Sequence, residues 1–168
     1  MPDVLNLTDG LLRFTDGTRV FDVSPTVGDG AITDAAETET YLHRGQMISD
    51  GSGVRLADET PAEVTLTAMI KSDETDDDEN VITICRWMRG ASSSAMTAAS
   101  WASTTTRGDG HRTLHVEWYP NGTASGAAFY QIANAMLTAA PVAEGRPTSY
   151  SMTFRSTTAP RPTLNFVP

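Results

Sequence analysis

The chain has 168 residues and a mass of 18.0 kDa, which is the size of one ordinary domain and excludes a second full domain. Hydrophobic residues make up 39% of the chain and charged residues 20%, a composition typical of a globular, strand-rich protein and not of a disordered one. Twelve basic and twenty-one acidic residues give a formal charge of −9. This balance argues against winding onto nucleic acid, because phosphate binding needs a basic stripe.

The sequence contains no signal for a membrane or for secretion. No stretch approaches the roughly 18 consecutive apolar residues that a membrane helix needs, and the start at Met1 lacks the basic and apolar regions of a signal peptide. We therefore expect a protein that is made and kept in a cytosol-like compartment. The single cysteine, Cys85, excludes an intramolecular disulfide and a multi-cysteine zinc site.

The chain opens with a hairpin signal. Short apolar runs over 11–14 and 19–23 flank Asp16 and Gly17, a pair that favours a tight turn. Two short strands are predicted there.

A less regular region follows this hairpin. A loop containing Pro25, Gly28 and Gly30 is predicted first, and a loosely alternating third strand is expected over 32–42. Residues 43–61 are polar and have no period, which predicts a loop of unusual length. Loops of this length are usually functional or make contacts outside the domain.

The middle of the chain has the clearest periodicity. Residues 62–70 alternate between apolar and mostly polar, which predicts a strand with one buried face. Residues 81–88 place apolar side chains at i, i+3, i+4 and i+7, the stripe of an amphipathic helix, and Gly90 suits its end. Cys85 lies on this stripe and is interpreted as a buried core thiol. The acidic run 73–79 lacks the spacing of a calcium loop and is interpreted as a solvated loop before the helix.

The second half predicts further strands. Residues 91–110 are small and polar and are expected to form a loop, with room for a short strand. A strong alternation over 114–119, a turn at 120–122 and a partner over 127–137 predict a second hairpin. A last strand follows, and the proline-containing tail 157–168 is expected to be extended.

Together these elements predict one mainly β domain over 1–168, an antiparallel β-sandwich or partial barrel with one flanking α-helix. Its predicted core combines one face of each strong strand with the stripe of the helix. The core residues are Val64, Leu66, Ile70, Leu114, Val116, Trp118, Ile132, Met136, Tyr150, Met152, Phe154, Val81, Ile84, Cys85 and Met88.

Motifs that would indicate catalysis, a cofactor or a metal site are missing from the sequence. No glycine-rich phosphate loop, nucleophile elbow or zinc-protease motif occurs, so no catalytic residue, cofactor or metal site is assigned. His111 and His115 would lie about 13 Å apart on a strand, too far for one metal ion. A cell-adhesion tripeptide at 107–109 and glycosylation acceptors at 6–8 and 121–123 are interpreted as turn chemistry.

The order of these elements resembles the major tail tube protein of long-tailed, siphovirus-like bacteriophages and related tailed viruses. The resemblance begins with ETETYLHRG at 37–45, a polar loop, and ETPAEVTLTA at 59–68 entering a strong strand. It continues through the helix after the acidic linker, the strand 113–119 with its Asn-Gly turn, and the strand 129–137. It ends with Ala-Glu-Gly leading into 148–156, and so spans most of the chain.

The resemblance implies subunits that form six-membered rings, stacked into a tube around the tape-measure protein and later the genome. The chain would be made in the host cytoplasm and reside in the virion tail with other tail proteins, without inserting into a membrane. DNA would pass through the lumen without specific binding. The N-terminal arm 1–8 and the tail 157–168 would reach across contacts, and the loop 43–61 would touch a neighbouring subunit. The candidate contact residues in that loop are His43, Arg44, Met47 and Arg55.

A lumen that DNA must traverse needs a lining that repels or ignores phosphate. The candidate lining is the polar face of the best internal strands, although an ordinary exposed sheet face is the alternative for any single residue. The candidates are Glu37, Glu39, Glu63, Thr65, Thr67, His115, Glu117 and Gln131.

Three other functions compete with a tail tube. A tail terminator or head-tail connector would form rings but would not polymerise. A monomeric carbohydrate-binding or adhesion sandwich could stack Trp101, Trp118 and Tyr119 on sugar rings. An enzyme is the third, without a residue constellation to support it.

Overall fold

A computed structural model describes residues 10–23, 25–33, 36–40, 42–43, 46–47, 54–59, 61–69, 80–140, 149–159 and 161–168. Within these ranges the chain forms twelve strands and two short helices. The strands are β1 Leu11–Thr15, β2 Val20–Val23, β3 Pro25–Thr33, β4 Ala36–Thr40, β5 Leu42–His43, β6 Gln46–Met47, β7 Val54–Glu59, β8 Glu63–Met69, β9 Leu114–Tyr119, β10 Ala128–Ala139, β11 Ser149–Ser156 and β12 Thr163–Phe166. The helices are α1 Val81–Met88 and α2 Ser94–Ala98.

Eight strands form one antiparallel sheet in the order β2-β1-β9-β10-β11-β8-β3, with β12 beside the first half of β10. The predicted hairpin of β1 and β2 is confirmed. Asp16 accepts backbone N–H bonds from Thr18 and Arg19 at 2.8 and 2.7 Å, and Gly17 has a φ of +94°. The turn therefore depends on the Asp-Gly pair, because a side chain at this φ would be strained.

The main sheet folds over on itself and encloses the core. Phe14 on β1 meets Phe154 on β11 edge to face, with ring centroids 6.0 Å apart. Gly30 on β3 lies directly against the indole of Trp118 on β9. Strands that are distant in the sheet thus face each other across the interior, which confirms the predicted β-sandwich or partial barrel.

Replacing Gly30 with alanine should destabilise the fold, because a Cβ there would overlap ring carbons of Trp118. Overpacking of this kind costs about 1–3 kcal/mol. The urea midpoint should fall at an unchanged m-value. Gly108→Ala is the matched control, since a Cβ at Gly108 meets nothing within 4 Å. The loss should shrink in a Trp118→Leu background, and an equal loss there would contradict the contact.

Helix α1 packs its apolar stripe into the core, as predicted. Asn80 caps the helix, and its side chain accepts the backbone N–H of Thr83 at 2.8 Å. Cys85 is 1% exposed, and its Sγ lies 3.3 Å from Sδ of Met152. Burial raises the pKa of the Cys85 thiol to about 12. The prediction of a buried core thiol is confirmed.

Most of the predicted core is buried, with two exceptions in the part that the structure describes. Trp118 is only half-buried, and Met136 lies on the opposite face from the core. Ile70 falls outside the described residues. The confirmed core residues are Val64, Leu66, Leu114, Val116, Ile132, Tyr150, Met152, Phe154, Val81, Ile84, Cys85 and Met88.

A bulge in β10 explains the wrong placement of Met136. The register against β9 shifts between Ile132 and Ala135, and Asn134 has a φ of +48°. Ile132 is buried before the bulge, and Ala135 and Leu137 are buried after it. The extra residue inverts the alternation. Even-numbered residues face the core before the bulge, and odd-numbered residues face it after the bulge.

The loop expected around Pro25, Gly28 and Gly30 is wrong, because these residues belong to β3. This strand pairs with β8 and has a register shift between Pro25 and Gly30. It ends at Thr33, and the strand expected over 32–42 is therefore divided among β3, β4 and the first residue of β5. Proline and glycine indicated a break locally, but pairing with β8 overrides that preference at a sheet edge.

The single long loop expected over 43–61 is also wrong in its local structure. β4 pairs with β7 and β5 pairs with β6, both antiparallel, and neither pair belongs to the main sheet. We call these four strands the ribbon. Such short, polar strands have no period of their own, so only their partners reveal them.

Two further elements lie in regions expected to be irregular. Residues 91–110 contain α2, which begins after the capping hydroxyl of Ser93 and buries Met96 completely. The extended tail contains β12, which pairs with β10. Both elements are too short for a periodic pattern to identify them.

Candidate functional site

Six of the eight predicted lining residues lie on one face of the main sheet. They are Glu63, Thr65, Thr67, His115, Glu117 and Gln131. The strand register places further polar residues on this face, which are Arg13, Asp22, Ser151, Thr153 and Arg155. We call these eleven residues the polar face. Glu37 and Glu39 belong instead to β4 of the ribbon.

Two of the three acids on the polar face are in ion pairs. Glu63 accepts a bond from Arg155 at 2.5 Å, and Asp22 accepts two from Arg13 at 2.8 and 3.0 Å. These partly exposed pairs contribute only about 0–1 kcal/mol each to stability. They do cancel charge on this face. The alternation of polar and apolar residues along β1 and β11 could have indicated that Arg13 and Arg155 lie on this face.

The third acid, Glu117, belongs to a hydrogen-bonded aromatic cluster. It accepts the Tyr119 hydroxyl at 2.6 Å and the Gln131 amide at 3.0 Å. The Tyr119 ring stacks on Phe129 with centroids 4.6 Å apart, and the guanidinium of Arg13 lies 5.4 Å from the Tyr119 centroid. Burial, together with the bond to Glu117, raises the pKa of Tyr119 to about 12.

The raised pKa of Tyr119 predicts a loss of stability at alkaline pH. Its hydroxyl has a pKa of about 10 in the unfolded chain and about 12 in the fold. The stability that depends on the neutral hydroxyl is therefore complete below about pH 10 and is lost as pH rises toward about 12. The free energy of unfolding, measured with urea across this pH range, should decrease less steeply with pH for Tyr119→Phe than for the wild type. Parallel declines would contradict the assignment.

Hydroxyl groups lie next to the ion pair of Glu63 and Arg155. Oγ1 of Thr65 is 3.1 Å from Oγ1 of Thr153, and Thr67 is opposite Ser151 in the register. Bonded hydroxyl groups carry no net charge and therefore offer a phosphate backbone no fixed cation. The polar face thus combines neutralised pairs with neutral hydroxyls.

The free edges of the main sheet carry exposed apolar side chains. β2, β3 and β12 each pair with only one described strand. All four large apolar side chains that are exposed, among those the structure describes, lie on these strands. They are Val20 at 54%, Ile32 at 37%, Leu164 at 50% and Phe166 at 64% exposure.

The core side of the sheet continues out to these edges. In the register, Leu12 is opposite Trp118, Trp118 is opposite Tyr130, and Tyr130 is opposite Leu164. Leu12 is fully buried and Leu164 is half exposed. This row of apolar side chains, which we call the apolar row, is thus buried at β1 and exposed to solvent at β12.

The candidate contact residues of the long loop lie in the ribbon where they are described. His43 is in β5, Met47 in β6 and Arg55 in β7. Arg44, the arm 1–8 and the acidic run 73–79 lie outside the described residues. Contact of the ribbon with a neighbouring subunit stays a prediction.

The aromatic residues proposed for sugar stacking do not form an exposed platform. Trp101 is 8% and Tyr119 is 5% exposed. Trp118 lies against Gly30 on one side and stacks on Tyr130, with centroids 5.7 Å apart. Their rings are used for packing within the fold.

The cell-adhesion tripeptide sequence at 107–109 forms a turn, as predicted. Arg107 donates to Asp109 at 2.7 Å, and Asp109 accepts the backbone N–H of His111 at 3.1 Å. The guanidinium of Arg107 lowers the pKa of Asp109 to about 2. The second glycosylation sequence begins at a turn, and the first lies outside the described residues.

The described residues contain no group of three or more His, Cys, Asp or Glu side chains placed to hold a metal ion. No helix in the same ranges has the length and apolar character needed to cross a membrane.

No protein-family model matches the chain, and no curated protein matches it. Among solved structures, it is similar to a chain in the tail of an empty gene transfer agent particle refined with C6 symmetry. That match has 13% identity and a TM-score of 0.49, and covers 97% of this chain and 98% of the other. A chain from the virion of a native gene transfer agent particle matches with 13% identity, a TM-score of 0.46 and the same coverage. Because the identities are this low and both TM-scores are under 0.5, no role is transferred from either particle to this chain.

Proposed function

We propose that this chain is a structural subunit of a viral tail tube, in which copies join through the free edges of the main sheet into stacked rings. The observation that supports this proposal best is the uncovered apolar row that ends at Leu164 on β12, with Phe166 beside it. An apolar surface that continues the core and stops at a free edge favours a protein partner. The ring number of six is the one that the resemblance implies.

The positions of the edges favour contact between different surfaces of identical copies. β2 ends the sheet on one side, and β3 and β12 expose apolar residues elsewhere. A contact between unlike edges is heterologous, and repetition of such a contact closes a ring or continues as a helix. Burial of one large apolar side chain contributes roughly 1.5–3 kcal/mol. Pairing of edge backbone groups would add to this and remove open edges.

The polar face supplies the surface that a conduit requires. Its ion pairs and hydroxyls give DNA no unpaired cation to bind, so the genome and the tape-measure protein could pass without adhering. The charge pairing on this face supports a neutral lining better than a strongly repulsive one. We place Glu63, Thr65, Thr67, His115, Glu117 and Gln131 at the lumen, and the ribbon at contacts between subunits.

Negative-stain electron microscopy of the purified chain across a concentration series tests the proposal. We expect rings with a central hole at lower concentration and tubes at higher concentration. Rings that never lengthen would favour the terminator or connector alternative. Small monodisperse particles at every concentration would contradict self-assembly.

A further inference from the structure

The end of α1 is positively charged although the whole chain has a formal charge of −9. Residues 80–106 include Arg86 and Arg89 and contain no aspartate or glutamate. Arg86 and Arg89 are exposed. Arg112 adds a guanidinium at the same end, where it donates to two backbone carbonyls at 2.8 and 3.0 Å. This surface would attract a negatively charged partner.

A cavity of about 220 Å³ opens beside these arginines, between α1 and the start of α2. Its lining residues are Thr83, Arg86, Ala91, Ser92 and Ser93. The side chains that line it supply one guanidinium and three hydroxyls and, among the described residues, no carboxylate. A carboxylate accepts about four hydrogen bonds and pairs strongly with a guanidinium. The donor set therefore fits an acidic side chain.

Thr83 independently indicates a ligand in this cavity. The residue is 3% exposed, and its hydroxyl has no hydrogen-bond partner. A buried hydroxyl left without a partner costs about 1–3 kcal/mol, and native structures rarely retain one without a reason. In the helix cap, the Asn80 side chain accepts the backbone N–H of Thr83, so this cap bond does not use the hydroxyl.

The ribbon has the complementary charge. Its strands β4 and β7 contain four acids and one arginine, which are Glu37, Glu39, Asp58, Glu59 and Arg55. The register places Glu39 opposite Arg55, but it places Glu37 opposite Asp58. Like charges directly opposite each other destabilise a strand pair. This end of the ribbon would therefore be stabilised by an external cation.

We propose that the cavity between α1 and α2 binds a carboxylate of Glu37 or Asp58 from the ribbon of a second copy of this chain. The ribbon strands pair only with one another in the described part of the chain, which leaves them available to a neighbour. The inference rests on the proposed assembly and deepens it, because it names the surface that receives the ribbon. Arg86 and Arg89 attract the carboxylate electrostatically. The hydroxyls of Thr83, Ser92 and Ser93 donate hydrogen bonds that position it in the cavity.

Three variants test this contact by analytical ultracentrifugation and electron microscopy. Thr83→Val should be at least as stable as the wild type in dilute monomer, because it removes an unpaired buried hydroxyl. Its assembly should nevertheless need about tenfold higher concentration, the effect of about 1.4 kcal/mol per contact. Arg86→Glu should block assembly, and Arg86→Glu/Asp58→Arg should restore it. Thr123→Asp/Ser125→Asp, on an exposed turn, makes the same charge change as Arg86→Glu and should assemble normally.

Each other outcome overturns the inference in a distinguishable way. If the wild type forms tubes and both Thr83→Val and Arg86→Glu assemble at the wild-type concentration, the ribbon contact is wrong and the proposed tube remains. If the wild type never assembles, both proposals fail. Loss of stability in monomeric Thr83→Val would mean that the cavity is filled within one chain. Thermal stabilisation by inorganic phosphate that depends on Arg86, without rescue by Asp58→Arg, would identify a free anion instead.

Discussion

Replacing Leu164 and Phe166 with aspartate should leave a folded monomer that no longer forms rings or tubes. Both side chains are at least half exposed on an edge strand, so the fold itself should change little in stability. Loss of two buried apolar side chains at about 1.5–3 kcal/mol each would weaken each contact by about 10²- to 10⁴-fold. Sedimentation velocity across a concentration series measures the effect.

The control for this experiment adds the same charge elsewhere. Thr123 and Ser125 are exposed on the turn between β9 and β10, and Thr123→Asp/Ser125→Asp should assemble as the wild type does. Circular dichroism and urea unfolding verify that each variant is folded. Tubes formed normally by Leu164→Asp/Phe166→Asp would remove β12 from the contact surface and with it the main support for the proposed function.

A second large effect is expected when the polar face is made cationic. Glu63→Gln releases Arg155 from its ion pair, and Ser151→Lys adds a charge at an exposed position on the same face. Tubes of this double variant should bind duplex DNA at low salt. Six or more phosphate contacts would lose about 10³-fold or more in affinity between roughly 50 and 200 mM salt. Fluorescence anisotropy of a labelled duplex measures both the affinity and its salt slope.

The matched variant for the second prediction is Thr123→Lys/Ser125→Lys, which changes the net charge by the same amount away from the polar face. It should bind DNA far more weakly if the polar face lines the lumen. Equal binding by the two assembled variants would show that position does not matter, and the polar face would then lose its assignment as the lining.

Several elements could be predicted because their signal is local. β8, β9 and β11 alternate with a period of two, and α1 has apolar residues on one helical stripe, so burial of one face was evident from the sequence. The turn at Asp16 and Gly17 was equally clear, because its chemistry resides in two neighbouring residues. Among these elements, β8 and β9 also supplied five of the six predicted lining residues on the polar face, and Gln131 on β10 is the sixth.

Other features could not be predicted because they arise from partners that are distant in the sequence. The bulge at Asn134 reverses the faces of β10, and no residue pattern before it indicates where the reversal occurs. The ribbon strands gain their conformation from pairing across the chain. The Glu63–Arg155 pair joins residues on β8 and β11 whose opposition depends on register alone.

The sequence by itself determined that this protein is mainly β, with one amphipathic helix packed on the sheet and a buried lone thiol. Those properties follow from the spacing of apolar residues along short segments, which sets how each segment buries its surface. Only the tertiary structure decided which acids on the polar face are neutralised, where the core row reaches solvent at Leu164, and that Thr83 lines a cavity with Arg86. The physical reason is that strand order, register and the covering of an edge depend on contacts between remote segments, and periodicity along the chain does not encode them.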